Sequence, residues 1–218
     1  GLTGLAGGAT PQAGEFAISL ERMNGIEEVD ATAMTATVLA GTPLQVLQEA
    51  ADEHDLFMPL DLGARGSCNI GGNVATNAGG TEVIRYGMTR QWIMGLTVVT
   101  GKGDILHLNR GMVKNATGYD LRQLFIGSEG TLGLVTHAQI KLERQPQDLN
   151  VMVLGMDSFN DVMNVLSAFQ AKIDLTAFEF FDDVAIDKLM AHGQVQEPFE
   201  SRTKFYTLLE FEAPYEPI

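Results

Sequence analysis

Apolar residues along this chain fall into short runs broken by Gly, Pro, Asn and Asp, and the spacing within the runs alternates between strand-like and helix-like. FAISL (Phe16–Leu20) and TATVLAG (Thr35–Gly41) lie between turn signals and predict strands. A helix start follows. Thr42 can cap, Pro43 suits the first helical position, and Gln45 completes a capping box, while Leu44, Leu47 and Ala51 give an apolar stripe running through His54. Asp61–Gly80 is too dense in Gly, Ser and Asn to be regular over most of its length, and a long irregular stretch inside a compact domain is usually functional. Met94–Thr100, the turn Gly101–Asp104 and Ile105–Leu108 predict a hairpin. Asp120–Phe125 predicts a short helix with Asp120 as its cap, Gly127–Gly133 a loop, and Leu134–Leu142 an alternating strand.

Beyond Pro146 the order becomes strand (Val151–Leu154), helix from Ser158 with the stripe Val162, Val165, Leu166 and Phe169, strand (Phe178–Phe181), helix (Asp183–Ala191) and strand (Phe205–Phe211). This β-α-β-α-β order predicts the beginning of a separate α+β domain. The expected division is residues 1–145 and 146–218, with the boundary near Gln145–Asp148.

Composition narrows the function classes. Of the 218 residues, 45% are hydrophobic and 19% charged, as in a globular protein. No run of 18 apolar residues predicts a membrane-spanning helix, and Gly1–Gly8 lacks the basic and apolar regions of a signal peptide. The net charge of −14 repels phosphate backbones and anionic lipid, so no nucleic-acid partner is expected. One cysteine, Cys68, excludes internal disulfides and multi-cysteine zinc sites and suits a reducing, cytoplasmic setting. The chain begins inside a glycine-rich loop and ends in EAPYEPI after a strand-like run, so a piece of a longer protein is expected.

Three segments share one chemistry: GLTGLAGGATP (Gly1–Pro11), GARGSCNIGGNVATNAGG (Gly63–Gly80) and IGSEGTLG (Ile126–Gly133). Glycine lets the backbone turn with positive φ and approach a ligand, and successive N–H groups can then form an anion-binding nest. A diphosphate held this way needs no arginine, and Thr3, Ser67, Thr76 and Asn77 add short polar groups. The dinucleotide fingerprint fails because Leu106 stands where Gly101 and Gly103 would require a third glycine, and no P-loop occurs. A single such loop would be an ordinary turn, and composition alone does not specify the ligand.

The residues also carry a resemblance. RMN (Arg22–Asn24), FMPLDLGARGSCNIGGNVATNAGG (Phe57–Gly80), RYG (Arg85–Gly87), TGYDLRQLFIGSEGTLG (Thr117–Gly133) and FEFFD (Phe178–Asp182) resemble the flavoproteins of the p-cresol methylhydroxylase and vanillyl alcohol oxidase family, and within it the D-2-hydroxy-acid dehydrogenases. The resemblance implies an α+β fold: the second subdomain of an FAD-binding domain of the p-cresol methylhydroxylase (PCMH) type, followed by the beginning of an α+β cap (substrate) domain. It implies FAD as cofactor. Gly1, Thr3, Gly4 and Leu5 would fall on the pyrophosphate loop. Ser67, Ile70, Gly71, Gly72, Thr76, Asn77 and Gly79 would fall on a second flavin loop, and Glu129, Gly130 and Val135 on a third, near the adenine. Leu2 stands where many relatives have Asn, which removes one polar flavin contact, and Ala116 where many have Asn before Thr-Gly-Tyr-Asp.

The implied reaction is oxidation of a D-2-hydroxy acid of the 2-hydroxyglutarate, lactate or glycolate type, with a separate electron acceptor. The base, metal-binding histidines and carboxylate-binding residues would lie in later cap sequence, so no turnover is expected from this chain alone. His54, His107, His137 and His192 have no metal-ligand spacing and no evident catalytic partner. Cys68 reads as a buried small residue, Trp92 and the ten methionines as core filling, and Asp182 as a helix cap. Lys114 and Tyr119, beside the TGYDL motif, fit either a flavin-facing position or helix entry and packing. With the first flavin subdomain absent, an exposed cleft face would favour a homodimer. Two other readings stand beside this one: a non-catalytic flavin-binding module, and a different flavoenzyme of the same fold, against which the long TGYDL…GSEGTLG match argues.

Overall fold

The computed structural model describes residues 1–109, 111–193 and 196–213, so the tail of EAPYEPI lies outside the described residues. The chain divides into two compact units, one of residues 1–80 and 87–145, the other of residues 81–86 and 146–218. The class is α+β, with every strand pair in the named sheets antiparallel.

In the first unit, β1 (Ile26–Asp30), β2 (Thr35–Leu39), β4 (Ile93–Val99), β5 (Ile105–Leu108) and β6 (Leu134–Lys141) form one sheet in the order β1-β2-β6-β4-β5. Alternation sends Ala36, Val38, Leu96, Val98, Ala138 and Ile140 to one face, where all are buried. Helices α1 (Leu44–Asp52) and α2 (Ile70–Thr76) contribute Leu44, Leu47, Ala51, Ile70 and Val74 to this core. A two-residue pair joins β3 (Leu56–Phe57) to β7 (Glu143–Arg144). The helix α4 (Arg122–Phe125) follows the TGYD segment.

The second unit has a three-stranded sheet, β8 (Leu149–Met156), β10 (Phe205–Glu212) and β9 (Leu175–Asp182), ordered β8-β10-β9. Helices α5 (Phe159–Gln170), α6 (Asp183–Ala191) and the short α3 (Val83–Tyr86) pack on it. Ser158 caps α5 by accepting from the Asp161 N–H, and Asp182 caps α6 by accepting from the Ala185 N–H at 2.9 Å. Of the predicted α5 stripe, Val162 is buried, while Val165, Leu166 and Phe169 are partly covered. Phe181 stacks on Tyr206, ring centroids 5.4 Å apart.

Several expectations are corrected. Phe16–Leu20 forms no strand: Phe16 is 98% and Ile18 69% exposed, and no strand among the described residues pairs with the segment. The edge strand is instead β1, whose IEEVD composition hid it. The α1 capping box does not form. Thr42 is fully buried and its hydroxyl is spent on Gly25, donating to the carbonyl and accepting from the N–H, both at 3.0 Å. The leading amides of α1 bond instead to distant carbonyls, Leu44 to Cys68 and Gln45 to Arg65, and the helix ends at Asp52, short of His54. Within the stretch read as irregular, residues 70–76 are helical. The methionines divide: Met58, Met94 and Met156 are buried, but Met112 and Met163 are 57% and 49% exposed.

Asp120 does not sit at the N-cap of α4, which is Leu121. It pairs with Arg122, which donates from Nε and Nη2 to the two carboxylate oxygens at 2.8 Å each. Arg122 Nη1 also donates to the Ile93 and Met94 carbonyls at 2.8 and 2.6 Å, so the pair fastens the TGYD segment to β4. These Arg122 hydrogen bonds hold the Asp120 carboxyl below its ordinary value, against a smaller opposing effect of burial. The pair's stabilisation is therefore present above the unfolded pKa of about 3.9 and is lost as pH falls through the folded value. Asp120→Asn is expected to lower the thermal midpoint at pH 7 and to flatten the acid limb of the stability profile, as read by circular dichroism melts from pH 7 to 2. An unchanged acid limb would contradict this role.

Candidate functional site

The three glycine-rich loops, Gly1–Pro11, Gly63–Gly80 and Ile126–Gly133, lie far apart in sequence but touch one another in the first unit. Loop two reaches loop one at Asn69, whose Oδ1 accepts from the Gly1 nitrogen and whose Nδ2 donates to the Gly41 carbonyl. Loop three reaches loop one at Gly8, where a Cβ would stand 3.2 Å from Glu129 Oε2. Loop three is joined to loop two through the end of α2: the Gly127 and Glu129 amides donate to the Val74 and Ala75 carbonyls at 3.0 and 2.9 Å. Those carbonyls belong to the last turn of α2, where a helix leaves its acceptors unsatisfied. Glu129 holds φ 51° and Gly130 φ 79° to make this docking turn.

Between loops one and two lies an open cleft of about 490 Å³, lined by Gly1, Leu2, Gly8–Pro11, Glu15–Glu21, Ala40, Asn69 and Gly72. Of the residues expected at the flavin, Gly1 and Gly72 line this cleft directly. Thr3, Gly4 and Leu5 lie on the exposed first loop, with Thr3 partly covered and Leu5 fully exposed. Ser67 and Gly79 are exposed. Ile70 and Val135 are buried, at 2% and 6% exposure, with the Ile70 N–H donating to the Thr42 carbonyl and Val135 paired with Val98 across β4 and β6. The Thr76 hydroxyl donates to the Gly72 carbonyl at 3.0 Å, and Asn77, left-handed at φ 49°, closes α2 while its Oδ1 accepts from the Arg90 N–H at 2.9 Å. Asn69 is a contact residue absent from the expected set; its signal in the sequence is a lone amide between Cys68 and Ile70 at the head of α2.

Gly71 and Gly72 are adjacent and serve different ends. A Cβ on Gly71 would stand 2.7 Å from Ala40 Cβ and 3.0 Å from the Ala40 oxygen, so this glycine is required by helix-on-strand packing. A Cβ on Gly72 would meet nothing within 4 Å, so its open side is the cleft.

The remaining candidates lie elsewhere. His107 and His137 flank Thr97 across three strands and border an open polar depression on the sheet face away from the core. His107 Nδ1 is 3.2 Å from the Thr97 hydroxyl, and His137 Nδ1 is 2.9 Å from the Thr136 hydroxyl. His54 and His192 bond to carbonyls one turn back, Ala50 and Lys188. Cys68 is buried, with Asn73 Nδ2 3.7 Å from its sulfur. Trp92 is buried with Lys141 Nζ 5.3 Å from the ring centroid, and Tyr119 is 94% exposed. Among the described residues, no group of three His, Cys, Asp or Glu could hold a metal ion.

This arrangement suits a dinucleotide. The open face of Gly72 lets a ligand approach the backbone closely, the three loops are glycine-rich, and Asn69 is a neutral polar group in the cleft, which Glu15 and Glu21 also line. Residues 1–109 match the FAD binding domain family and residues 145–217 the C-terminal domain of FAD linked oxidases; the chain belongs to this family of FAD-linked flavoproteins. It is 53% identical over 216 residues to a D-2-hydroxyglutarate dehydrogenase of Stutzerimonas stutzeri, covering 99% of this chain and 47% of that protein. It is 52% identical to one of Xanthomonas citri (98% and 45%) and 42% identical to a mitochondrial one of Danio rerio (96% and 40%). The chain thus spans about half the length of these relatives, or less. In fold it matches a crystal structure of alkyldihydroxyacetonephosphate synthase with a TM-score of 0.71 at 21% identity, over 90% of this chain and 38% of that one. No helix among the described residues is long and apolar enough to cross a membrane.

The two adjacent glycines give a paired test. Gly71→Ala is expected to cost roughly 1–3 kcal/mol, since overpacking outweighs the helical preference of alanine. Gly72→Ala is expected to leave stability unchanged or to raise it by up to about 1 kcal/mol. Urea unfolding of the two variants checks this, and equal costs would mean that α2 is not seated against Ala40.

Proposed function

We propose that this chain is the flavin-holding part of an FAD-dependent D-2-hydroxy-acid dehydrogenase, with D-2-hydroxyglutarate as its substrate. The observation that carries the reading is the contact of three glycine-rich loops in the first unit, two of which line one cleft beside the open backbone of Gly72. The substrate rests on the names of the bacterial relatives, which are 53% and 52% identical over nearly the whole chain. In this reading residues 1–145 are the second part of the flavin domain and residues 146–218 open the cap. A separate electron acceptor, a cytoplasmic setting and pairing of two copies belong to the same proposal.

Bound FAD would supply the acceptor for the hydride leaving the C2 carbon of the hydroxy acid. The chain's own residues bind and orient. Gly1, Thr3, Gly4 and Leu5 form the pyrophosphate loop. Ser67, Ile70, Gly71, Gly72, Thr76, Asn77 and Gly79 offer backbone and short polar groups along the second loop, with Glu129, Gly130 and Val135 on the adenine side. Holding a diphosphate by amides suits a chain of net charge −14, because it asks for no cluster of cations.

Flavin fluorescence titration of the full-length protein tests the reading. Saturable FAD binding is expected, weakened at least tenfold by Gly72→Val with little change in thermal midpoint, and anaerobic bleaching of the flavin by D-2-hydroxyglutarate should follow. Absence of FAD binding by the full-length protein would overturn the cofactor assignment. Bleaching by D-lactate or glycolate but not by D-2-hydroxyglutarate would overturn the substrate. The 218-residue chain alone, supplied with FAD, is expected to show no turnover.

A further inference from the structure

Arg90 is a cation with an unusual set of partners. In a chain with 28 acidic residues against 14 basic ones, no carboxylate lies within salt-bridge distance of it among the described residues. Its guanidinium is instead spent on neutral oxygens. Nη1 donates to the Gln123 carbonyl at 3.0 Å and to the Gln123 side-chain oxygen, and Nη2 donates to the Ile126 carbonyl at 2.7 Å. Its backbone N–H meanwhile donates to Asn77 Oδ1, the left-handed residue that ends α2. A Cβ on Gly127 would stand 3.5 Å from both Arg90 Nη2 and Asn77 Cβ, so the three residues are in contact around the start of loop three.

We propose that Arg90 is a positioning residue for the third flavin loop: it clamps loop three, through Ile126 and Gln123, to the C-terminal end of α2, through Asn77. The inference rests on the flavin reading for its consequence, though not for its geometry. Ile126 immediately precedes Gly127 and lies three residues before Glu129, the two whose amides dock on Val74 and Ala75. Fixing the Ile126 carbonyl therefore fixes the register of that docking. The shape of the donor matters more than its charge. A planar guanidinium presents several N–H groups in a rigid fork and reaches both carbonyls together, whereas an ammonium is a point donor on a flexible stem. A cation beside the C-terminal end of α2 is also favourably placed in the helix field, but lysine would supply that equally.

The test compares Arg90→Lys and Arg90→Gln with wild type in the full-length protein. Both variants are expected to weaken FAD binding about tenfold, while the thermal midpoint shifts little. Hydrogen exchange should accelerate at the Gly127 and Glu129 amides and not across β2, β4 and β6. Millimolar guanidinium should restore part of the FAD affinity of Arg90→Gln. A merely structural role would instead speed exchange throughout the unit and would not respond to guanidinium. Wild-type affinity and wild-type exchange in Arg90→Lys would overturn the proposal, because charge alone would then suffice. If wild type itself bound no FAD, the flavin reading would fail, and exchange at Gly127 and Glu129 would still decide whether Arg90 holds the loop.

Discussion

The first unit depends on how the short helix α2 has its backbone satisfied. Seven residues supply few internal hydrogen bonds, so both ends must find partners elsewhere. At its start the Ile70 and Gly71 amides donate to the Thr42 and Ala40 carbonyls, and at its end the Val74 and Ala75 carbonyls accept from Gly127 and Glu129. The helix is thereby joined to the β2–α1 turn on one side and to loop three on the other. Loop two, which leads into it, in turn supplies the Arg65 and Cys68 carbonyls that cap α1. Three segments distant in sequence, the β2–α1 turn, loop two with its helix and loop three, thus close each other's open backbone groups.

That economy explains the distribution of charge around the site. Arg122 and Arg90 both direct donors to main-chain carbonyls, at Ile93 and Met94 in one case and at Gln123 and Ile126 in the other. Such hydrogen bonds to a charged donor are stronger than neutral ones. They hold loop geometry through main-chain acceptors, with Arg122 also paired to the Asp120 carboxylate.

The second unit follows simpler rules. Ser158 and Asp182 accept from amides three residues on, and β8, β10 and β9 pair in long, nearly regular registers. Phe159 meets Phe180 and Phe205 edge-on, at centroid distances of 5.3 and 5.9 Å, while Phe159 and Phe180 remain 47% and 53% exposed. The same segment pattern matches the C-terminal domain of FAD linked oxidases.

Elements whose stabilisation is local were legible in the residues. The Ser158 and Asp182 caps, the hairpin of β4 and β5, the alternation along β6 and the stripe Leu44, Leu47 and Ala51 each depend on neighbours within a few positions, and each could be read from spacing alone. The first and third glycine-rich loops were likewise legible as loops, whereas the second concealed the helix of residues 70–76; their long motifs carried the family. Tertiary structure alone decided the rest. Thr42 turned to Gly25 instead of capping α1, because buried hydroxyls take whichever partner surrounds them. Phe16–Leu20 had the composition of a strand but no strand to pair with, and IEEVD had a partner without the composition. Gly71 and Gly72 are the same letter in sequence. Only the approach of Ala40 to one and open space beside the other separates a packing glycine from a cleft glycine, since a missing side chain has no meaning until its neighbours are in place.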